Sequence, residues 1–294
     1  MWKAETRRTY DRKGLRCPTD VTDAEWDLAR PFVDVAQRGS GRQRRVDLRE
    51  VLNAVFYVLG TGCQWRALPK DLPPRSTVHD DFVRWHCDGT LGRLHHALYE
   101  QAREMVGKEA SPTTAIVGSQ SVKGAERGGR RTDPVGYDAA KKVKGRKRHA
   151  VVDTLGLMLG CAVLPGNVQD RDGCLGVLRE VRRLFPFLER VVADGAYQGR
   201  ETARAIRRAA RARLEIVKRS DAAKGFVGLS KRWIVERTFG WLGRCRRLAK
   251  DFEALTRTHL AFVQLAMIRL MLRRIARASI SHDLAGRALR SSRL

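Results

Sequence analysis

Residues 115–123 read A-I-V-G-S-Q-S-V-K. The segment has the composition of a buried strand, yet Gly118 stands at its centre. A glycine there packs nothing and loses about 0.5–1 kcal/mol relative to alanine. Gly118 is therefore a departure from what the strand calls for. What it replaces decides what the chain can do.

Upstream of this strand the pattern is helical from about residue 20 to 107. Thr22 with Glu25 forms a capping box, and Val21 can staple onto Trp26. A second helix starts at Asp47 and runs VLNAVFYVLG to a stop at Gly60. STVHDDFVRWHC carries Val78, Phe82 and Trp85 on one face, and a fourth helix after Thr90 carries Leu91, Leu94 and Leu98. Downstream the pattern changes to strands near 115–122, 148–153 and 157–164, the last two joined by DTLG. A helix is expected at 171–185, then strand RVVAD (190–194), a helix from Gly199 to Arg211, strand LEIVK (214–218) and a helix over 231–248. This β-β-β-α-β-α-β-α order is that of a ribonuclease H-like fold. The fold class is α/β, with a small all-α domain in front. The expected division is a flexible basic N-terminus (1–18), a helical domain (19–107), the α/β domain (113–278) and a basic tail (279–294).

The 294 residues include 58 Lys plus Arg against 32 Asp plus Glu, a net charge of +26. A chain so basic repels itself unless it meets a polyanion, and nucleic acid is the natural one. Six cysteines at irregular spacing give no CxxC pair, so reduced thiols in a cytosol are expected. The N-terminus has no apolar signal region, and LAFVQLAMIRLMLRRIA (260–276) is interrupted by Gln264, Arg269, Arg273 and Arg274. It reads as a buried helix, not a membrane span.

Two acids have positions that suit metal chemistry. Asp194 ends the strand VVAD before the tight turn Gly195-Ala196-Tyr197, and Glu236 lies on the late helix, with Gly240, Gly243, Arg244 and Arg247 following on its face. Each alone reads equally well as a surface acid. Together, RHAVVDTLGL, NVQDRDG, VADGAY, LEIVKRSD, AKGF and RWIVERTFGWLGRCRRLAKDFE resemble bacterial insertion-sequence transposases of the IS-five group. So do VTDAEWDL, LREVLNAVFYVLGTGCQWRALPKDLPP and STVHDDFVRW in the first half. The likeness runs from about residue 19 to 276.

The resemblance implies a DDE triad of two aspartates and a glutamate that binds two Mg²⁺ ions, with Mn²⁺ as a substitute. Two such ions stabilise the attacking and leaving oxygens of the phosphodiester. It places the second acid on Asp194 and the third on Glu236. The first belongs where relatives read A-I-I-D-S-Q-S-V-K, so Gly118 stands at the position of the first aspartate. Asp153, Asp133 and Asp138 are the candidates to replace it. Leu229 stands where related groups have a tyrosine, three residues before Arg232, while Arg232 and Glu236 keep their spacing.

The family's chemistry is cleavage at the element's ends and transfer of the freed 3′-hydroxyl to target DNA. The implied partners are double-stranded DNA, as terminal inverted repeats and as target, and a second copy of the chain. The implied location is cytoplasmic, on the nucleoid. The loop residues Arg38, Arg42, Arg44 and Arg45 are expected to clamp phosphates. So are Lys141, Lys142, Lys144, Arg146, Lys147 and Arg148 of the run KKVKGRKRH, and Arg232, Arg244 and Arg247. The alternative is a catalytically dead DNA-binding protein, a repressor or a domesticated transposase.

Overall fold

The computed structural model describes residues 11–34, 46–125, 132–217 and 233–291, with the backbone alone from 279 onward. The expected clamps Arg38, Arg42, Arg44, Arg45 and Arg232, together with Leu229, lie outside the described residues. The chain divides into two compact units. One comprises residues up to Lys108 together with those from Gln264; the other is Glu109–Val263.

The first unit is built from α1 (Asp23–Val33), α2 (Leu48–Thr61), α3 (Arg75–Cys87) and α4 (Thr90–Glu104). Thr22 caps α1, and Glu25 returns the bond to complete the capping box. Glu25 is buried and is gripped by both guanidinium nitrogens of Arg12, at 2.7 and 2.9 Å. Burial opposes ionisation, but the hydrogen bond from Arg12 and its charge keep the Glu25 carboxyl below its ordinary value. Arg16 pairs with Glu50 and Asp20. Part of the N-terminal stretch expected to be flexible is thus anchored. Helix α2 is the most buried of these helices and ends at Gly62, in left-handed conformation at φ 71°. Gly60, expected as the stop, lies inside the helix instead. A Cβ there would sit 2.8 Å from the Thr19 methyl, so this glycine serves packing.

The second unit holds a six-stranded sheet of β1 (Thr114–Lys123), β2 (Gly136–Asp138), β3 (Val143–Val152), β4 (Met158–Pro165), β5 (Arg190–Ala193) and β6 (Arg213–Ile216). The order is β2-β3-β1-β5-β6, and β4 also pairs with β3. The β1–β3, β2–β3 and β3–β4 pairs are antiparallel; β1–β5 and β5–β6 are parallel. Three helices accompany it: α5 (Asp170–Leu184), α6 (Arg200–Ala210) and α7 (Trp233–Gly243). Gly118 pairs with Ala150 and Ser119 with His149. A Cβ at Gly118 would meet Val235 of α7, whereas one at Gly173 of α5 would fall 2.3 Å from the His149 ring. Because side chains alternate along a strand, α5 and α7 cover opposite faces of the sheet.

Three elements differ from expectation: the short strand β2 was not expected, and β3 and α7 have other bounds. Strand β3 begins at Val143, five residues early, and is buried from Gly145 onward. Arg146 and Arg148 point to the α7 face and Lys147 to the other, so a run that reads as a solvated charge cluster is an interior strand. Helix α7 stops at Gly243, and a short 3-10 turn carries Arg246–Leu248. The expected apolar helix is α8 (Thr256–Ser291), grouped with the first unit from Gln264 onward. Among the described residues no helix is long and apolar enough to cross a membrane.

Candidate active site

Strand register relates two of the three sequence-predicted positions, Gly118 and Asp194. Thr114 pairs with Arg190, Ala115 with Val191 and Ile116 with Val192. Extended two residues beyond the last pair, the same register sets Gly118 level with Asp194, the residue that follows the end of β5. Strand β5 ends at Ala193, and Asp194 caps the following turn by accepting from the Ala196 N–H at 2.9 Å. Tyr197 closes the turn and is buried. The Asp194 carboxyl therefore sits where the two strands part.

Helix α7, which carries Glu236, packs against β1 at Gly118 through Val235. Ile234, Val235, Thr238, Phe239 and Leu242 are buried, while Glu236 is exposed. Two hydrogen bonds fix the helix to the β3–β4 turn. The Thr238 hydroxyl donates to the Gly156 carbonyl at 2.8 Å, and Arg237 donates to the Leu155 carbonyl at 2.9 Å. Arg237 is also stacked between Trp233 and Trp241, its guanidinium carbon 4.4 and 4.8 Å from the ring centres.

The direction a side chain at 118 would take is filled. Its Cβ would lie 2.8 and 3.0 Å from the two Val235 methyls. Valine is branched at Cβ and stiff, so those methyls cannot swing away freely. Position 118 is a packing contact between β1 and α7.

The candidate substitute acids all have other work. Asp153 is fully buried and accepts from the Leu155 and Leu157 N–H groups, which shapes the turn DTLGL. Asp133 accepts from the Thr256 N–H and hydroxyl. Asp138 accepts from Ser121 at 2.5 Å and pairs with Lys147 at 3.1 Å. Burial opposes its ionisation, but the bonds from Ser121, Lys141 and Lys147 bring the Asp138 carboxyl down to about 2.

Among the expected phosphate contacts, the structure separates inside from outside. Arg146 is 1% exposed and donates to the Asp251 carboxylate and to the carbonyls of Asp133, Pro134, Glu253 and Ala254. Arg148 is equally buried and donates to Gln120, to the Leu248 carbonyl and to His259 Nε2. Lys147 lies between Asp138 and Asp170. Arg247 pairs with Glu253 and lies over Phe262. These four side chains are interior groups, against the surface role expected of them. Lys141, Lys142, Lys144 and Arg244 are exposed.

Sequence reasoning missed the centre of this interior network. Asp251 accepts from Arg146 at 3.0 Å and contacts His259 Nδ1 at 2.8 Å, and neither Asp251 nor His259 is exposed beyond 1%. Burial pulls the His259 imidazole below its ordinary value, so it is neutral. Its Nδ1–H then donates to Asp251 while Nε2 accepts from Arg148. Burial opposes ionisation of Asp251, but the bond from His259 and the adjacent charges hold its carboxyl at about 2. The partners of this network are separated by more than a hundred residues on the side of β3, so no local signal announced them.

The family described as "Transposase DDE domain" matches residues 109–271, more than half the chain. The chain belongs to this DDE transposase family. A second description, "Putative transposase of IS4/5 family", matches residues 21–95. The "Putative transposase for insertion sequence element IS402" of Burkholderia cepacia is 32% identical over 143 residues, 46% of this chain and 65% of that relative. The match thus spans just under two thirds of the relative's length. No solved structure matches.

DDE transposases generally use divalent ions held by carboxylates. Among the described residues the donor set does not fit a two-ion centre. Asp194 and Glu236 offer oxygen, but position 118 offers none, and the space beside it holds valine methyls. Among the described residues no three His, Cys, Asp or Glu side chains converge into a metal-binding group.

Proposed function

We propose that the chain is an insertion-sequence transposase of ribonuclease H-like architecture, with a helical N-terminal domain, that binds element-end DNA but has lost strand cleavage at position 118. The observation that carries this is the contact of Val235 with the missing side chain's place. An absent ligand alone would leave a gap that water or a neighbouring acid could fill. Here the direction of the side chain is occupied by valine methyls, and the alternative acids Asp153, Asp133 and Asp138 are engaged in turns and ion pairs. The strand order and the level placement of Gly118 and Asp194 support the architecture. The exposed Lys141, Lys142, Lys144 and Arg244 supply phosphate contacts on this reading, with Arg38, Arg42, Arg44, Arg45 and Arg232 completing the set. The domain division expected from the sequence and pairing of two copies on DNA belong to the same proposal.

The test compares the present chain with Gly118→Asp and with Gly118→Asp/Val235→Ala on flanked element ends in Mg²⁺ or Mn²⁺. Each protein is expected to bind the ends. The present chain is expected to leave them intact, and the double variant to cut faster than the single one. Cleavage by the present chain at the rate of the double variant would overturn the assignment of position 118.

A further inference from the structure

The arginines of the Glu109–Val263 unit fall into two sets. Arg146, Arg148, Arg237 and Arg247 are engaged by carbonyls, carboxylates or aromatic rings. Along α6, by contrast, Arg200, Arg204 and Arg207 recur at i, i+4 and i+7, with Arg208 beside them and Arg211 at the C-cap, and all five are exposed. Among the described residues none of these five has an ion pair or a side-chain hydrogen bond. The opposite side of the helix is anchored by buried Thr202, Ile206, Ala209 and Ala210.

A groove of about 910 Å³ runs between α6 and α5, and Arg171, Arg204, Arg207 and Arg208 line it. Asp172 and Glu201 line it too. Each of these acids stands in the first turn of its helix, where the helix dipole favours a negative charge, so their presence has a local cause. Cations stacked at i, i+4 repel one another, and Glu201, the one acid on this helix, forms no ion pair with them among the described residues and leaves the row strongly positive. An external anion would.

Length selects the anion. From Arg200 to Arg211 the stripe extends roughly 16 Å at 1.5 Å per residue. A small ion could engage one or two of these guanidinium groups. Duplex DNA presents one charge per about 1.7 Å of axis and can meet the whole row. Helix α6 packs beside α5, and α5 covers the face of the sheet opposite α7 and position 118.

We propose that the α5–α6 groove is a second docking surface for duplex DNA, gripping phosphates without reading sequence, on the opposite face of the sheet from position 118. It rests on the reading above that this chain binds DNA. The two faces would then hold two separate DNA segments.

The experiment measures binding of a labelled random-sequence duplex to the full chain by fluorescence anisotropy across a salt series. The variant is Arg204→Ala/Arg207→Ala/Arg208→Ala, which removes mutual repulsion from an exposed face and is expected to keep the wild-type Tm. The expected result is an affinity loss of tenfold or more at fixed salt, with the log–log salt slope reduced by about 2–3, since each phosphate contact contributes about 0.9. Should the triple variant unfold, Arg171→Ala/Arg200→Ala tests the same surface from its two sides, with a slope reduction of about 1–2. An unchanged slope and affinity in a folded variant, with tight binding by wild type, overturns the groove alone. Absence of duplex binding by wild type overturns both this inference and the DNA-binding reading beneath it. Loss of polyglutamate binding with duplex binding intact also overturns it, in favour of an acidic polypeptide partner.

Discussion

At the scale of single residues, Gly118 and Val235 act as a pair. A Cβ built at 118 lies 2.8 Å from a valine methyl, well inside van der Waals contact, so α7 or β1 must shift to admit it. Overpacking of this kind costs about 1–3 kcal/mol. Gly118→Asp is expected to lose that much stability by urea denaturation, and Val235→Ala to recover part of it. The double-mutant cycle should then show favourable coupling. The departure at Gly118 was legible in the sequence because a strand interior disfavours glycine. The role of Val235 was not, since which α7 side chain meets β1 is a matter of tertiary packing. His149 offers a second case. It is fully buried beneath Gly173, and burial pulls its imidazole down to about 4. A folded pKa below the unfolded value of about 6.5 means that the neutral form stabilises the fold. That stability is complete above pH 6.5 and is lost as pH falls toward 4, by up to about 3 kcal/mol. His149→Gln should therefore flatten the fall in stability between pH 6.5 and 4, as acid-unfolding curves would show.

At the scale of elements, β3 shows how charge misleads. KKVKGRKRH has the composition of a solvated, DNA-facing run, and its first three lysines are exposed as that reading requires. From Arg146 the chain turns those charges into an interior lattice with Asp251, His259, Asp138 and Asp170. Alternation along a strand sends successive cations to opposite faces, and nothing in the local sequence reveals that acids wait on both. The two halves of the run should answer mutation differently. Arg146→Met leaves Asp251 buried without its guanidinium and is expected to cost about 3–5 kcal/mol. Lys141→Ala/Lys142→Ala/Lys144→Ala is expected to leave the Tm in place and weaken duplex binding, most at low salt. Thermal melts and anisotropy on both variants separate the two. A reversed pattern would return Arg146 to the surface. Boundaries suffered for related reasons. Gly60 reads as a helix stop until its contact with Thr19 shows that α2 needs it for packing, and α7 ends at Gly243 although the helical pattern of the sequence continues to residue 248.

At the scale of the whole molecule, the family and most of the strand and helix order were legible, although the short strand β2 was not. Long motifs and hydrophobic periodicity carry that information redundantly. The sorting of cations was not legible, because the net charge of +26 sums interior and exterior groups alike. Only those left exposed can release counterions from DNA, so the salt slope of binding should fall far short of what the total charge suggests. Titrating duplex binding against salt would give that number directly. The tight contact at position 118 also bears on the history of such a chain. On the proposed assignment, a back-mutation restoring aspartate would arrive in a neighbourhood already refitted to glycine. It would strain the fold before it could restore any chemistry. Silencing therefore behaves as a ratchet: one step leads out, but the way back needs two changes together. A lineage carrying this pair would persist as a binder that competes with active copies for the same ends.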